Sequence, residues 1–278
     1  MTETMTPAAT SPAVKVPHLR HFGKGPRQIL ALHCSLAHGG VWQPMAEELG
    51  LDEVSVTAPD MPGHGRSPHW RPGSMHDLAR DWAVDLLTKM GGGAPVDIFG
   101  HSFGGTVAIR VALERPDLVR SLTLFEPVLF AVALQDGSPE AADWAEKERG
   151  FEERINAGDR EGAAEWFQSL WGTGVPLSRM PASQRSYIVD RIEAIPAAAD
   201  VVRDDRGGLL REGRLSGLSV PVLLAEGATS PTVIRAITEG LSRRIPQAER
   251  LVQAGAGHML PITHAADMAP QIRAHLGL

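Results

Sequence analysis

From Gln28 onward the chain alternates short apolar runs with longer amphipathic ones, a pattern that predicts parallel strands separated by helices. Residues 28–34, QILALHC, hold too little polarity for a half-exposed strand and read as one buried on both faces. In residues 41–50 Val41, Met45 and Leu49 fall at helical spacing, with Gly50 as a C-terminal stop. VSVTAPD (54–60) predicts the next strand, and Pro62, Gly63 and Gly65 the turn after it. A helix follows Ser74, with Leu78, Trp82 and Leu86 on one face, ended by the GGGAP run at 91–95. VDIFG (96–100) predicts a third buried strand, the residues after Ser102 a helix closed by Pro116, and SLTLFEP (121–127) a fourth strand.

The alternation then stops. From about Val128 to Leu218 the chain breaks into amphipathic helical fragments before resuming with a strand at 220–227, a helix around 233–245, a strand near 250–255 and a last helix from about His264. The pattern predicts an α/β fold: a mostly parallel, doubly wound sheet over 17–127 and 219–278, interrupted by a helical cap over 128–218. Residues 1–16, rich in Thr, Ala and Pro without the charged start and apolar middle of a secretory signal, are expected to form a flexible tail.

Composition narrows the function classes. A net charge of −6, with basic residues scattered along the chain, offers no footprint for a nucleic acid and no polybasic run for a membrane surface. No window approaches the roughly 18 apolar residues of a membrane-spanning helix, so a cytoplasmic protein is expected. A single cysteine, Cys34, rules out an internal disulfide and a thiolate zinc cage. The chain has no G-x-G-x-x-G after its first strand, no P-loop and no H-E-x-x-H; no cofactor and no metal are expected. Whether the chain forms a homodimer is left open.

The decisive stretch is VDIFGHSFGGTVAIR. A strand ends at Gly100, Ser102 follows two residues on, and Gly104 precedes an immediate helix, which matches the G-x-S-x-G nucleophile elbow. Gly100 and Gly104 occupy the positions that the turn crowds most. On this evidence the chain resembles the α/β-hydrolase fold family from about Pro17 to Leu278. LHCSLAHGGVW (32–42) is similar to that family's oxyanion loop, DMPGHGRS (60–67) to its D-x-P-G-x-G-x-S turn, and GAGHMLPITH (255–264) to its histidine loop.

The resemblance implies a Ser102 nucleophile and a His258 general base, with the amides of Phe103 and Ser35 forming the oxyanion hole. The place where the family usually keeps its acid holds Ala228, Thr229 and Ser230. Some members take the acid instead from the strand after the nucleophile helix, which here ends in Glu126. Glu126 is the favoured acid, because a buried strand-end carboxylate needs a partner; Glu226 is the alternative. Leu36, His38, Trp166 and Trp171 are expected to contact substrate, while His33 and His264 lie near enough in sequence to approach the site. His64 and His101 read as turn residues, and Cys34 as a core residue more than a nucleophile.

The aromatic residues Trp144, Phe151, Trp166, Phe167 and Trp171 all fall within the predicted cap. They would either roof an apolar pocket or pack the cap's own core. The expected activity is hydrolysis of a small apolar ester or lactone through an acyl-enzyme. Carbon–carbon bond hydrolysis, acyl transfer and non-catalytic ligand binding are the competing readings.

Overall fold

The computed structural model describes residues 16–278, Ser74 excepted. The expected tail thus lies, but for Val16, outside the described residues. The sheet strands are β1 (Leu19–Phe22), β2 (Arg27–Leu32), β3 (Val54–Pro59), β4 (Val96–His101), β5 (Val119–Phe125), β6 (Val222–Gly227) and β7 (Ala248–Gln253), in spatial order β1-β3-β2-β4-β5-β6-β7. All neighbours run parallel except β1, which pairs antiparallel with β3, Leu19 opposite Pro59. The sequence pattern begins at Gln28 and misses β1, an edge strand of four residues with no buried position.

The central strands β4, β5 and β6 are buried along nearly their whole length, as their unbroken apolar runs require. Their faces are covered by α1 (Gln43–Leu49), α2 (Met75–Gly91) and α3 (Phe103–Glu114), and after β6 by α9 (Thr232–Arg244), α10 (Leu260–Thr263) and α11 (Ala265–Leu276). One apolar layer lies between the sheet and α2, α3 and α9, with Leu30, Ile98, Val107 and Leu124 at its centre. The other lies against α1 and α11, where Trp42, Phe99 and Phe125 form a tilted aromatic triplet.

Between β5 and β6 stand only helices: α4 (Phe130–Gln135), α5 (Pro139–Asn156), α6 (Arg160–Trp171), α7 (Ala182–Arg191) and α8 (Ala199–Val202), with short 3-10 turns. Side-chain caps start two of them. Ser138 Oγ accepts from the Ala141 amide ahead of α5, and Asp159 Oδ1 accepts from the Gly162 amide ahead of α6. Helices α6 and α7 share a separate apolar cluster with Phe151 of α5, and the core residue Leu36 joins it from below. This helical layer therefore rests on the loop after β2.

Candidate functional site

The turn from β4 into α3 has the geometry that its glycines suggest. Ser102 sits at φ 55°, ψ −117°, a conformation strained for a residue with a side chain. A Cβ on Gly104 would lie 2.2 Å from the Leu32 carbonyl oxygen, and one on Gly100 2.7 Å from Gly105 Cα. Neither position has room for any other residue. The Ser102 amide donates to the Phe125 carbonyl at 2.9 Å, which fastens the turn to the end of β5.

One residue past that end lies Glu126, also left-handed at φ 46° and wholly buried. Its Oε2 accepts from His258 Nδ1 at 2.6 Å. Its Oε1 accepts from the Gly227 amide at 2.6 Å and from Ser230 Oγ at 2.5 Å. The carboxylate thus spans from the end of β5 to the end of β6 and receives three charge-assisted hydrogen bonds, which offset its burial. Ser230 occupies the place where the resemblance would put an acid, and instead donates to one. Its small polar side chain is the sequence signal for that role, legible only once Glu126 is placed beside it.

Glu226, the alternative acid, is bonded elsewhere. Facing the other way in β6, it receives Arg250 Nη2 at 2.5 Å and the Thr238 hydroxyl. The one-residue alternation of a strand separates its environment from that of its neighbours.

His258 is 5% exposed and Ser102 7%, and both line one cavity. Above the imidazole, Trp171 packs edge to face with ring centroids 4.6 Å apart. Below it lies His101, 4.9 Å away, whose Nε2 donates to the His258 carbonyl at 2.8 Å. His101 is therefore the last residue of β4 and a support for the histidine loop, not a turn residue. Burial drives its imidazole well below the ordinary range, with the nearby His258 adding to the effect, so it is neutral.

The loop after β2 is held by neutral imidazoles of the same kind. His33 Nδ1 donates to the Cys34 carbonyl and its Nε2 accepts from the Met61 amide. His64 Nδ1 donates to the Pro62 carbonyl and its Nε2 accepts from the Leu36 amide at 3.0 Å. Desolvation lowers His33 to about 3 and His64 to about 4. Leu36 itself has φ 62°, so strain and a hydrogen bond coincide next to Ser35. His64 is thus a turn residue with a further task, fixing this loop. Cys34 is buried, its thiol pushed up to about 12 by desolvation, and holds its proton at neutral pH.

A clip from the helical layer completes the loop. The Tyr187 hydroxyl of α7 donates to the Ala37 carbonyl at 2.6 Å and accepts from the Gly65 amide at 2.7 Å. Tyr187 is the chain's single tyrosine, yet no motif around it points to this contact, and its role comes from contacts between distant segments.

Two cavities meet at Ser102. The first, about 610 Å³ of atom-free space including its solvent-open part, is walled mainly by aromatic side chains, among them Phe130, Trp144, Trp166 and Trp171, with Ser35 and Phe103 beside the serine. The second, about 1280 Å³ on the same measure, is bordered by Leu36, His38, Tyr187 and His258. Leu36, His38, Trp166 and Trp171 therefore all border the space around Ser102, as do Ser35 and Phe103. The five aromatics of the helical layer do both things weighed for them, lining the first cavity while packing on one another, as Trp144 does on Trp171 at 5.0 Å. His33 is a loop fastener, and His264 borders neither cavity, its Nδ1 lying 2.8 Å from the Thr263 hydroxyl. Among the described residues no cluster of His, Cys, Asp and Glu could hold a metal ion, and no helix is long and apolar enough to cross a membrane.

A serine at a strained strand-to-helix turn, beside a carboxylate-bound histidine at the rim of a mostly parallel sheet, places the protein within a known class. The chain belongs to the α/β hydrolase fold family, whose model matches residues 28–265. It is similar to Lipase LipV of Mycobacterium tuberculosis, at 28% identity over 94% of this chain and 97% of that one. It is also 28% identical to the pimeloyl-[acyl-carrier protein] methyl ester esterase of Yersinia pseudotuberculosis, over 90% of this chain and 93% of its relative. The fold is shared with a solved esterase from Exiguobacterium antarcticum at TM-score 0.71 and 15% identity, covering 94% and 95% of the two chains.

Proposed function

We propose that the protein is a serine hydrolase of carboxylic esters or lactones working through an acyl-enzyme, with Ser102 as nucleophile, His258 as general base and Glu126 as the acid that orients it. The observation that carries this reading is the 2.6 Å bond from His258 Nδ1 to a fully buried Glu126. A carboxylate accepts only, so Nδ1 carries the proton and Nε2 keeps its lone pair for the serine.

Ser102 Oγ attacks the ester carbonyl carbon as its proton passes to His258 Nε2. The carbonyl oxygen becomes an oxyanion met by the amides of Phe103 and Ser35, donors commonly worth ~3 kcal/mol each. Collapse breaks the bond to the alkoxide, which takes the proton from His258 and leaves as the alcohol. Water then repeats the sequence on the acyl-enzyme and releases the acid. In this reading the helical segment 128–218 is a cap, and Trp171 screens the imidazole from solvent. The printed names of the two sequence relatives, a lipase and a methyl ester esterase, agree with ester chemistry.

The test is labelling with a fluorophosphonate probe followed by peptide mapping. The adduct is expected on Ser102, absent in Ser102→Ala and strongly slowed in His258→Ala. Full turnover of p-nitrophenyl butyrate by Ser102→Ala would sink the mechanism.

A further inference from the structure

The inward stripe of α5 runs Ala141, Trp144, Glu148, Phe151 at helical intervals, and only Glu148 breaks its apolar character. Among the described residues, Glu148 is the one ionisable side chain bordering the aromatic cavity. Its side chain is 22% exposed and forms a long ion pair with Arg203 Nη1 at 4.0 Å, beyond hydrogen-bond reach. That guanidinium is already engaged by Glu152 at 2.8 Å and by Asp204 at 3.2 Å. Among the described residues, no side chain donates a hydrogen bond to Glu148. Burial pushes its carboxyl above the usual range, against the pull of Arg203, with Glu152 and Asp204 adding to the rise.

A cavity meant only for hydrocarbon gains nothing from such a group, since a carboxylate on its wall with a 4.0 Å ion pair but no hydrogen-bond donor from the protein loses water when an apolar ligand fills the space, which costs free energy. The cost is offset when a ligand brings the missing donor. Which half of the substrate meets Glu148 follows from the two cavities. His258 must hand its proton to the departing alkoxide, and His258 borders only the wider cavity. The alcohol therefore leaves on that side, and the acyl chain extends from Ser102 at the sheet rim into the aromatic cavity, towards α5.

Resting on the hydrolase reading above, we infer that the preferred substrates are esters of apolar acids whose acyl chain carries a hydrogen-bond donor, a hydroxyl or ammonium group, at its far end, and that Glu148 receives it. Glu148 is then a specificity residue with no part in the bond-breaking steps, and a terminal carboxylate is repelled.

The experiment compares kcat/KM for p-nitrophenyl esters of hexanoic, octanoic and decanoic acids with their ω-hydroxy and ω-amino counterparts, and with the adipic acid monoester. The parent enzyme should favour the ω-hydroxy and ω-amino esters over the plain ester at the length that spans the cavity. Glu148→Leu should lower that ratio by about tenfold or more, the scale of a hydrogen bond to a charged acceptor. Glu148→Gln should keep the hydroxyl preference, lose the ammonium preference and admit the adipic monoester. Each ratio is internal to one enzyme sample, so partial misfolding leaves it intact, and Glu148→Gln carries the test if Glu148→Leu does not fold. Equal ratios in parent and variants, or no ω-donor preference at any length, would overturn the inference while leaving ester hydrolysis standing. No turnover of any ester and no fluorophosphonate adduct would overturn the hydrolase reading and this inference with it.

Discussion

Replacing Glu126 by Gln changes one atom type and almost no volume, yet the hydrogen bonds around it dictate a large effect. Oε1 receives a fixed backbone donor, the Gly227 amide, together with the Ser230 hydroxyl. A glutamine will keep its carbonyl oxygen there, which turns its NH2 towards His258 Nδ1. The imidazole must then accept at Nδ1 and carry its proton on Nε2, the tautomer that cannot take a proton from Ser102. Restoring the working tautomer means flipping the amide, setting its NH2 against the Gly227 N–H and leaving that buried amide unpaired, while the Ser230 hydroxyl can turn to accept from the NH2. At ~1–3 kcal/mol for such a donor, that is roughly 5-fold to 150-fold in the competent fraction at ~1.4 kcal/mol per decade. Loss of the charge that stabilises the imidazolium adds to it, so kcat/KM should fall by about 10² to 10⁴. The assay is hydrolysis of p-nitrophenyl butyrate alongside thermal unfolding, which should show the variant folded. Activity within about threefold of the parent enzyme would refute the argument, as would a larger loss in Glu226→Gln, whose carboxylate is bound by Arg250 and Thr238.

Gly104→Ala should prevent folding or remove fluorophosphonate labelling, because its Cβ would stand 2.2 Å from the Leu32 carbonyl oxygen; soluble, fully labelled protein would contradict the elbow geometry. Trp171→Ala, which takes an aromatic wall from the first cavity and the cover from His258, should lower kcat/KM more for long acyl esters than for acetate esters, and equal losses would assign the residue to packing alone. Acid should weaken the fold from about pH 6.5 downwards. His64 is held at about 4 against an ordinary 6.5, so below pH 6.5 the unfolded chain binds protons that the native state refuses. The stability from its neutral ring is complete above that pH and lost by about 4, ~3–4 kcal/mol at ~1.4 kcal/mol per pH unit. His33, lowered to about 3, extends the window. Urea unfolding across this range should show a positive slope of stability with pH, reduced in His64→Gln; a flat profile would speak against buried neutral histidines.

The central strands could be read because burial on both faces leaves an unbroken apolar run, and the elbow because crowding leaves glycine no substitute at 100 and 104. Glu126 was legible through a cost: a charge closing LTLF needs a partner, and His258 is that partner. What escaped was set by contacts between segments far apart in sequence. Ser230 has meaning only beside Glu126, and Tyr187 only where α7 meets the loops at Ala37 and Gly65. β1 left no trace because an edge strand of three half-buried residues and one exposed one carries no apolar period. His101 reads as a turn residue, but hydrogen bonding to the His258 carbonyl makes it a strand end and a brace.

The hydroxyl of Tyr187 ties three pieces of chain with two hydrogen bonds, one to the loop that carries Ser35 and one to the turn that carries His64. Lifting helix α7 away from the sheet therefore costs these two hydrogen bonds. Any outward swing must either break both bonds at once or pull on Ala37, one residue from the strained Leu36 and two from Ser35. A displacement of α7 that carried the Ala37 loop with it would therefore also disturb the amides of Ser35 and Phe103 that we propose as the oxyanion donors. The wider cavity, bordered by Met180, Gln184 and Ile262, offers a way to Ser102 that leaves both of these hydrogen bonds in place.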